Sequence, residues 1–243
     1  MTEGGAASGR NRAADSSAAV TTPSGRRHLG RDLILREAVR FIDERGQERL
    51  TMRRLGAELS VEAMALYRYV PGREQLLDGV VDYVMNELYE TTMTGERATT
   101  WQEYLQQIAH GVRKVAIAHP RIFPMVAVRP PAAPWLRPPL RSLRWVEGFL
   151  EALAAFGFSA QESVMVYRAF ATFLLGHLLL ETATLAGEGE PVVEDGTEDG
   201  EPDELSEYPR LTSLSAQLSR DAFADEFDDA LHDLIKRVAS FHS

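Results

Sequence analysis

Residues 50–73 read LTMRRLGAELSVEAMALYRYVPGR, and this stretch decides the fold. Thr51 is a suitable N-cap for a short helix over residues 52–59. Ser60 sits in a tight turn, and a second short helix is expected over 61–67. Pro71-Gly72 then breaks the chain. Leu55, Leu59, Val61 and Leu66 are spaced to hold the two helices together and against a helix before them. The polar faces are left free. In a helix-turn-helix the first helix crosses the DNA backbone and the second enters the major groove. On that reading Thr51 caps its helix and touches a phosphate, and Arg53 reaches a phosphate or a guanine edge with its bidentate fork. Met64 and Ala65 lie near base edges, where small or apolar groups meet thymine methyls. Tyr67, Arg68 and Tyr69 donate to phosphates along the groove wall, and Arg73 adds charge beside the next helix N-terminus. The same short pattern occurs in all-α proteins with no DNA role, so spacing alone leaves a helical protein-interaction bundle open as the alternative.

The net charge of −10 looks adverse to DNA binding until it is divided. Ten acids and no base fall within residues 187–207, so the rest of the chain sums to zero. Residues 31–73 hold nine arginines against seven acids. Local charge sets the surface field, so the acidic total carries little weight. Only Lys114 and Lys236 are lysines; arginine, with its rigid fork, supplies nearly all the positive charge. With no cysteine there is no disulfide or thiolate metal site, and a reducing cytoplasm is compatible. Residues 1–30 lack the apolar core of a signal peptide. The longest apolar run, 164–180, is broken by Arg168 and His177 and reads as a buried helix, not a membrane span.

Outward from the opening stretch, the pattern is helical throughout. Residues 1–30, rich in Gly, Ala, Ser and Thr, are expected to be a disordered arm. Ile34, Leu35, Ala38, Phe41 and Ile42 mark a first helix, and residues 31–75 form a three-helix head. A fourth helix is expected over 74–91. Thr100 with Glu103, and Ser159 with Glu162, are capping boxes that open helices running to about 118 and 185. Between them lie an apolar piece (122–128), a proline-rich loop and a helix over 135–156 that begins at or just after Pro138-Pro139. The acidic segment 187–207 reads as a solvated loop. A short helix over 210–218 and a final one over 223–240 follow. No strand-like alternation appears. The fold class is all-α: a helix-turn-helix head followed by a helical ligand-binding and dimerisation domain over 76–243.

Residues 50–73, with the helix before them and Glu74-Gln75-Leu76-Leu77 after them, closely resemble the TetR family of transcriptional regulators. The shared pattern is Leu-Thr-x-Arg-x-Leu, then Leu-Tyr-x-aromatic-Val, then a turn and Arg-x-x-Leu-Leu. His119-Pro120, Arg129-Pro130 and Gly157-Phe158-Ser159 extend the likeness into the second domain. The resemblance implies a homodimeric, ligand-responsive binder of double-stranded operator DNA, usually a repressor. It also implies DNA contacts at Thr51, Arg53, Tyr67, Tyr69 and Arg73, with sequence choice at Met64 and Ala65. Two positions depart from the pattern. Ser60 replaces the usual turn glycine, placing a Cβ where positive φ is expected, at about 1 kcal/mol. Tyr69 replaces a common histidine.

The second domain should hold a small-molecule cavity, largely apolar with a few polar groups. Phe170, Phe173 and His177 share a helical stripe, and Trp101, His110, Phe123, Met125, Trp135, Trp145 and Phe149 are further candidates. Ordinary core or dimer packing is the simpler account of each. His177 and Glu181 lie one turn apart, but a metal site needs three or four ligands, and none is expected. Tetracycline-responsive members hold a drug–magnesium chelate with a histidine near 122–129. No histidine stands there, so that effector is not expected. The 159–185 and 223–240 helices should dimerise as a four-helix bundle, with Ala169, Ala171 and Gly176 permitting close approach. No phosphate loop, GxSxG or cysteine nucleophile is present, so neither enzyme activity nor a cofactor is expected.

Overall fold

The computed structural model describes residues 29–95, 98–128, 133, 135–137, 142–187 and 207–242. The described residues form helices and connecting turns, with no strand among them. The expected arm lies outside them except for Leu29 and Gly30, and so does the acidic loop except for its ends.

Gly30 opens α1 (Arg31–Arg45), whose Ile34, Leu35, Ala38, Phe41 and Ile42 are buried. Thr51 caps α2 (Met52–Glu58) by accepting the Arg54 N–H at 3.2 Å. Helix α3 spans Ala63–Leu66, shorter at both ends than the sequence suggests. Ser60 adopts φ 55°, the positive angle expected where the family places glycine. The extended Glu62 delays the start of α3, and a turn over 67–69 ends it early. Gly56 permits the tight α2–α3 approach, because a methyl there would lie 2.8 Å from the Val61 carbonyl oxygen.

Helix α4 (Arg73–Met93) is longer than expected and begins with Arg73. It passes from the head into the second domain without a break, so the expected boundary at residue 75 falls inside a helix. Helix α5 (Trp101–Ala118) opens on the expected box: Thr100 accepts the Glu103 N–H, while the Glu103 carboxylate accepts the Thr99 N–H at 2.8 Å. Helix α6 (Phe123–Val128) fills the apolar piece. Helix α7 is Leu143–Ala155, capped by Ser142. Residues 135–137 stand outside this helix, in keeping with a start after Pro138-Pro139, and Trp135 is 78% exposed. Proline at 138 and 139 denies the helix interior its N–H donors, as ring geometry dictates.

Helix α8 (Ala160–Gly187) starts with a reciprocal Ser159–Glu162 box. It is long and apolar enough to cross a membrane, yet Val166, Tyr167, Phe170, Leu174 and Leu178 are buried in this fold, which marks a core helix. Helix α9 (Pro209–Leu218) is exposed along its length. Helix α10 (Phe223–Ala239) buries Phe227, Leu231, Ile235 and Val238. One continuous apolar cluster joins the head to α4–α8 and α10.

Candidate nucleic-acid interface and effector region

The head sorts its arginines by what each guanidinium already holds. Arg36 is paired with Asp32, Arg40 with Glu37 and Glu44, and Arg45 with Glu58. The Arg45 hydrogen bond, the largest cause, lowers the Glu58 pKa. Arg54 donates to the Arg49 carbonyl at 2.9 Å. Arg73 donates to the Leu50 carbonyl at 3.0 Å and to the Gln47 carbonyl at 2.8 Å. It therefore staples the α1–α2 connection to α4, a structural job that the sequence reading did not assign to it. Arg31, Arg49, Arg53 and Arg68 are exposed, and their guanidinium groups have no hydrogen-bond or ion-pair partner among the described residues. Met64 is 75% and Tyr67 43% exposed. Ala65 is half-buried, and Tyr69 packs partly against the core. Thr51 is exposed while its hydroxyl oxygen serves as a cap. The arrangement suits a groove binder: an apolar underside seated on α1 and α4, and an outer face with unpaired guanidinium groups, a thioether and a phenol.

In the second domain a void of about 30 Å³ is lined by Leu88 of α4, Val112 of α5, Phe123 and Val126 of α6, Trp145 of α7, and Ala171, Leu174 and Leu175 of α8. Of the eight residues expected to line an effector pocket, Phe123 and Trp145 line this void. Phe149 and Phe170 stand behind them, with Phe149 stacked at 5.4 Å on Trp145 and 5.3 Å on Phe170. The other four are placed elsewhere. Phe173 and His177 pack around Phe227 of α10, at 5.2 and 6.0 Å. His110 is exposed, 3.7 Å from Asp228. Trp101 lies edge-on to Phe158 and His242. Met125 is buried but is not a lining residue, and Trp135 stands in solvent. The cause is visible on α8: apolar residues surround this helix, so Phe170 and Phe173 both fit a core stripe yet face different neighbours. Ala171 likewise faces the void, while Ala169 and Gly176 do not.

Glu181 is not a partner of His177. Its buried carboxylate receives Nε of Arg113 at 3.0 Å and a second bond from Nη2. The same guanidinium lies 5.5 Å over the Phe227 ring, tying α5, α8 and α10 together. A second polar cluster joins the head to the rest. His119, at the end of α5, meets Asp43 of α1 at 2.7 Å and Glu87 of α4 at 3.2 Å. The Asp43 hydrogen bond, the largest cause, raises the His119 pKa against the opposing effect of burial. Arg121 adds a bond to the Glu44 carbonyl at 3.1 Å. The partners are far apart in sequence, and no local pattern announces them.

Two sequence families match the chain. Residues 34–80 match "Bacterial regulatory proteins, tetR family", and residues 94–239 match "Tetracyclin repressor-like, C-terminal domain". The tetracycline repressor protein class E of Escherichia coli is 26% identical over 169 residues, which are 68% of this chain and 75% of that protein. Among solved structures, a possible TetR family transcriptional regulator from Streptomyces coelicolor A3(2) superposes with TM-score 0.67 at 24% identity, covering 87% of this chain and 100% of that one. The Streptomyces coelicolor TetR family protein ActR in complex with actinorhodin gives TM-score 0.63 at 21% identity, covering 88% and 97%. At such identities the two structures speak for the fold alone; the two matched families carry the assignment. The chain belongs to the TetR family of ligand-responsive, DNA-binding transcriptional regulators.

Proposed function

We propose that this protein is a homodimeric cytoplasmic repressor that binds a pseudo-palindromic operator and is released from it by a small, largely apolar effector. The observation that carries the reading is the sorting of arginines in the head. Arg36, Arg40, Arg45, Arg54 and Arg73 are spent on acids or carbonyls, whereas Arg31, Arg49, Arg53 and Arg68 are not, and of these four only Arg53 and Arg68 lie within the helix-turn-helix that carries the exposed Met64 and Tyr67. Arg53, Met64 and Ala65 choose the sequence. Thr51, Tyr67, Arg68 and Tyr69 position the head on phosphates, with Arg73 supporting them from within. Two heads joined by a two-fold axis would meet half-sites about one helical turn apart. For that axis the α8–α10 face is the natural surface. Val164, Met165 and Leu180 are exposed there, and Met165, Ala169, Phe173 and Leu234 line a groove of about 720 Å³. ActR, a neighbour in fold, holds actinorhodin; by likeness this chain holds a small molecule between its helices. Linkage requires operator and effector to weaken each other by the same factor.

Binding to random duplex across a salt series tests the first half. Each phosphate neutralised should contribute a log–log slope of about −0.9. Absence of duplex binding at low salt overturns the regulator reading in favour of a helical interaction bundle. Selection of operators from random duplex then tests Arg53. Arg53→Ala should cost about 1–3 kcal/mol and relax preference at one position per half-site. A uniform loss across all sequences would make Arg53 a phosphate contact.

A further inference from the structure

The core void is too small for more than about one water. A second and larger space lies beside it. A cleft of about 730 Å³ opens between the end of α4, the first half of α5 and the second half of α7. That volume falls in the range of about 300–1,000 Å³ typical of small-molecule sites. Tyr89, Thr92, Tyr104, Gln107, Glu151 and Phe156 are among its walls. The aromatic rings offer flat apolar faces, with Tyr104 and Phe156 5.8 Å apart. Tyr104 is a half-buried phenol whose bond partner is the Met93 sulfur at 3.8 Å, a weak acceptor. Burial pushes its pKa up, which keeps it a neutral donor. Among the described lining residues Glu151 is the one charged side chain. Outside the lining, the Arg144 guanidinium lies 3.6 Å over the Tyr89 ring and holds that ring in place.

The cleft is also wired to the core. Thr92 accepts the Trp145 indole N–H at 3.0 Å and donates to the Leu88 carbonyl at 2.7 Å. Trp145 lines the void, and its stacking partner Phe149 lies 5.9 Å from Tyr104. The wall that separates cleft from void is therefore Thr92, Trp145 and Phe149. We propose that this cleft is a small-molecule site for planar aromatic compounds that carry a hydrogen-bond acceptor and no negative charge. Its occupancy is relayed through the Thr92–Trp145 bond to α4. The relay rests on the regulator reading above; the site does not.

Nile red is a suitable probe: planar, neutral and bearing a ring carbonyl. Its fluorescence is titrated with the full chain, and fluorescein serves as a planar anionic comparator. Ala152→Trp, which fills the cleft, should weaken Nile red at least tenfold. Tyr104→Phe should weaken it about fivefold, the worth of one neutral hydrogen bond. Fluorescein should bind at least tenfold more weakly than Nile red. Melting curves and far-UV circular dichroism identify any variant that fails to fold, and Tyr104→Phe, the smaller change, then carries the test. Nile red binding that is absent, or indifferent to both substitutions, overturns the site. Fluorescein binding as tight as Nile red overturns the ligand class. Nile red should also lower duplex affinity, and Thr92→Val, compared with the parent protein with each saturated in Nile red, should remove that effect. A persisting effect in Thr92→Val overturns the relay. Duplex binding without probe is read separately: its absence, with the probe pattern intact, defeats the regulator reading and supports the site.

Discussion

Replacing Glu181 with leucine should cost about 2–3 kcal/mol of stability, most of it recovered when Arg113 is replaced as well. The Glu181 side chain is 7% and the Arg113 side chain 23% exposed, and two N–H groups of the arginine end on the carboxylate. Removing one member of a buried pair typically costs about 3–5 kcal/mol, because the other is left charged and unpaired. Two considerations lower the figure here. A quarter of the arginine already reaches solvent, and its long stem lets the head group turn outward. What remains is the loss of two charge-assisted bonds and of part of the contact with Phe227. The double variant Arg113→Met/Glu181→Leu exchanges the pair for apolar groups of similar volume, which is often neutral. A double-mutant cycle by urea denaturation should therefore give a coupling of at least about 2 kcal/mol. All four proteins are compared at one concentration, since the proposed dimerisation would make apparent stability concentration-dependent. A single Glu181→Leu loss below about 0.5 kcal/mol would refute the reasoning. So would a double variant that loses the full sum of the singles, because the two side chains would then act independently.

Ser60→Gly should stabilise the head by about 0.5–1 kcal/mol in denaturant titrations: relief of about 1–2 kcal/mol at positive φ is offset by the greater entropy of unfolded glycine. A destabilised variant would mean that the turn angle carries no strain. Gly56→Ala should act the other way, losing about 1–3 kcal/mol and weakening duplex binding, because the new methyl meets backbone atoms of Val61 and Ala63 at 2.8 and 3.3 Å. Unchanged melting and duplex affinity would show that the turn yields freely. For His119 the folded pKa lies above the ordinary value of 6.5. Its charged bonds to Asp43 and Glu87 thus contribute fully below that value, and the contribution fades as pH rises through the folded pKa. The melting-temperature deficit of His119→Gln should be largest near pH 6 and shrink toward pH 9; a deficit that grows with pH contradicts the sign.

The parts of this molecule that were legible in the sequence are those fixed by neighbours a few residues away. Thr51, Thr100 and Ser159 announce helix starts because each cap closes onto an N–H three residues on. Ser60 could be assigned a positive φ because it stands where the family pattern places a turn glycine. The length of α3 was not legible, since Glu62 and Tyr67 have helix-compatible side chains and only the turn geometry excludes them. Only two of the eight residues that line the void were legible as candidates. Phe123 and Trp145 were found, but Phe173 and His177 could not be separated from Phe170 on a helix that is apolar all round. Pairings across 68 and 76 residues, Arg113 with Glu181 and His119 with Asp43, leave no local trace.

The same distinction explains why a domain boundary drawn from pattern fell inside α4. Periodicity sees a head ending at Pro71-Gly72 and a new helix starting. Packing shows one 21-residue helix serving both halves. At Gly79 it crosses α1 so closely that a Cβ would lie 2.6 Å from the Leu35 side chain. At its far end Thr92 is bonded to Trp145, and a Cβ at Gly111 would lie 2.7 Å from the Thr92 methyl. Between these ends Glu87 is held by His119, which also holds α1. Rise alone puts the start of α4 about 21 Å from Glu87. A tilt of about 5° pivoting there would therefore carry Arg73, and the Leu50 carbonyl stapled to it, by about 2 Å. Bidentate contacts to base edges do not survive a displacement of that size, because hydrogen bonds weaken steeply beyond about 3.2 Å. If Arg53 reads a base edge as proposed, a small wedge between α4, α5 and α7 is sufficient to unseat it in one head. In a two-fold dimer it would alter the spacing of both.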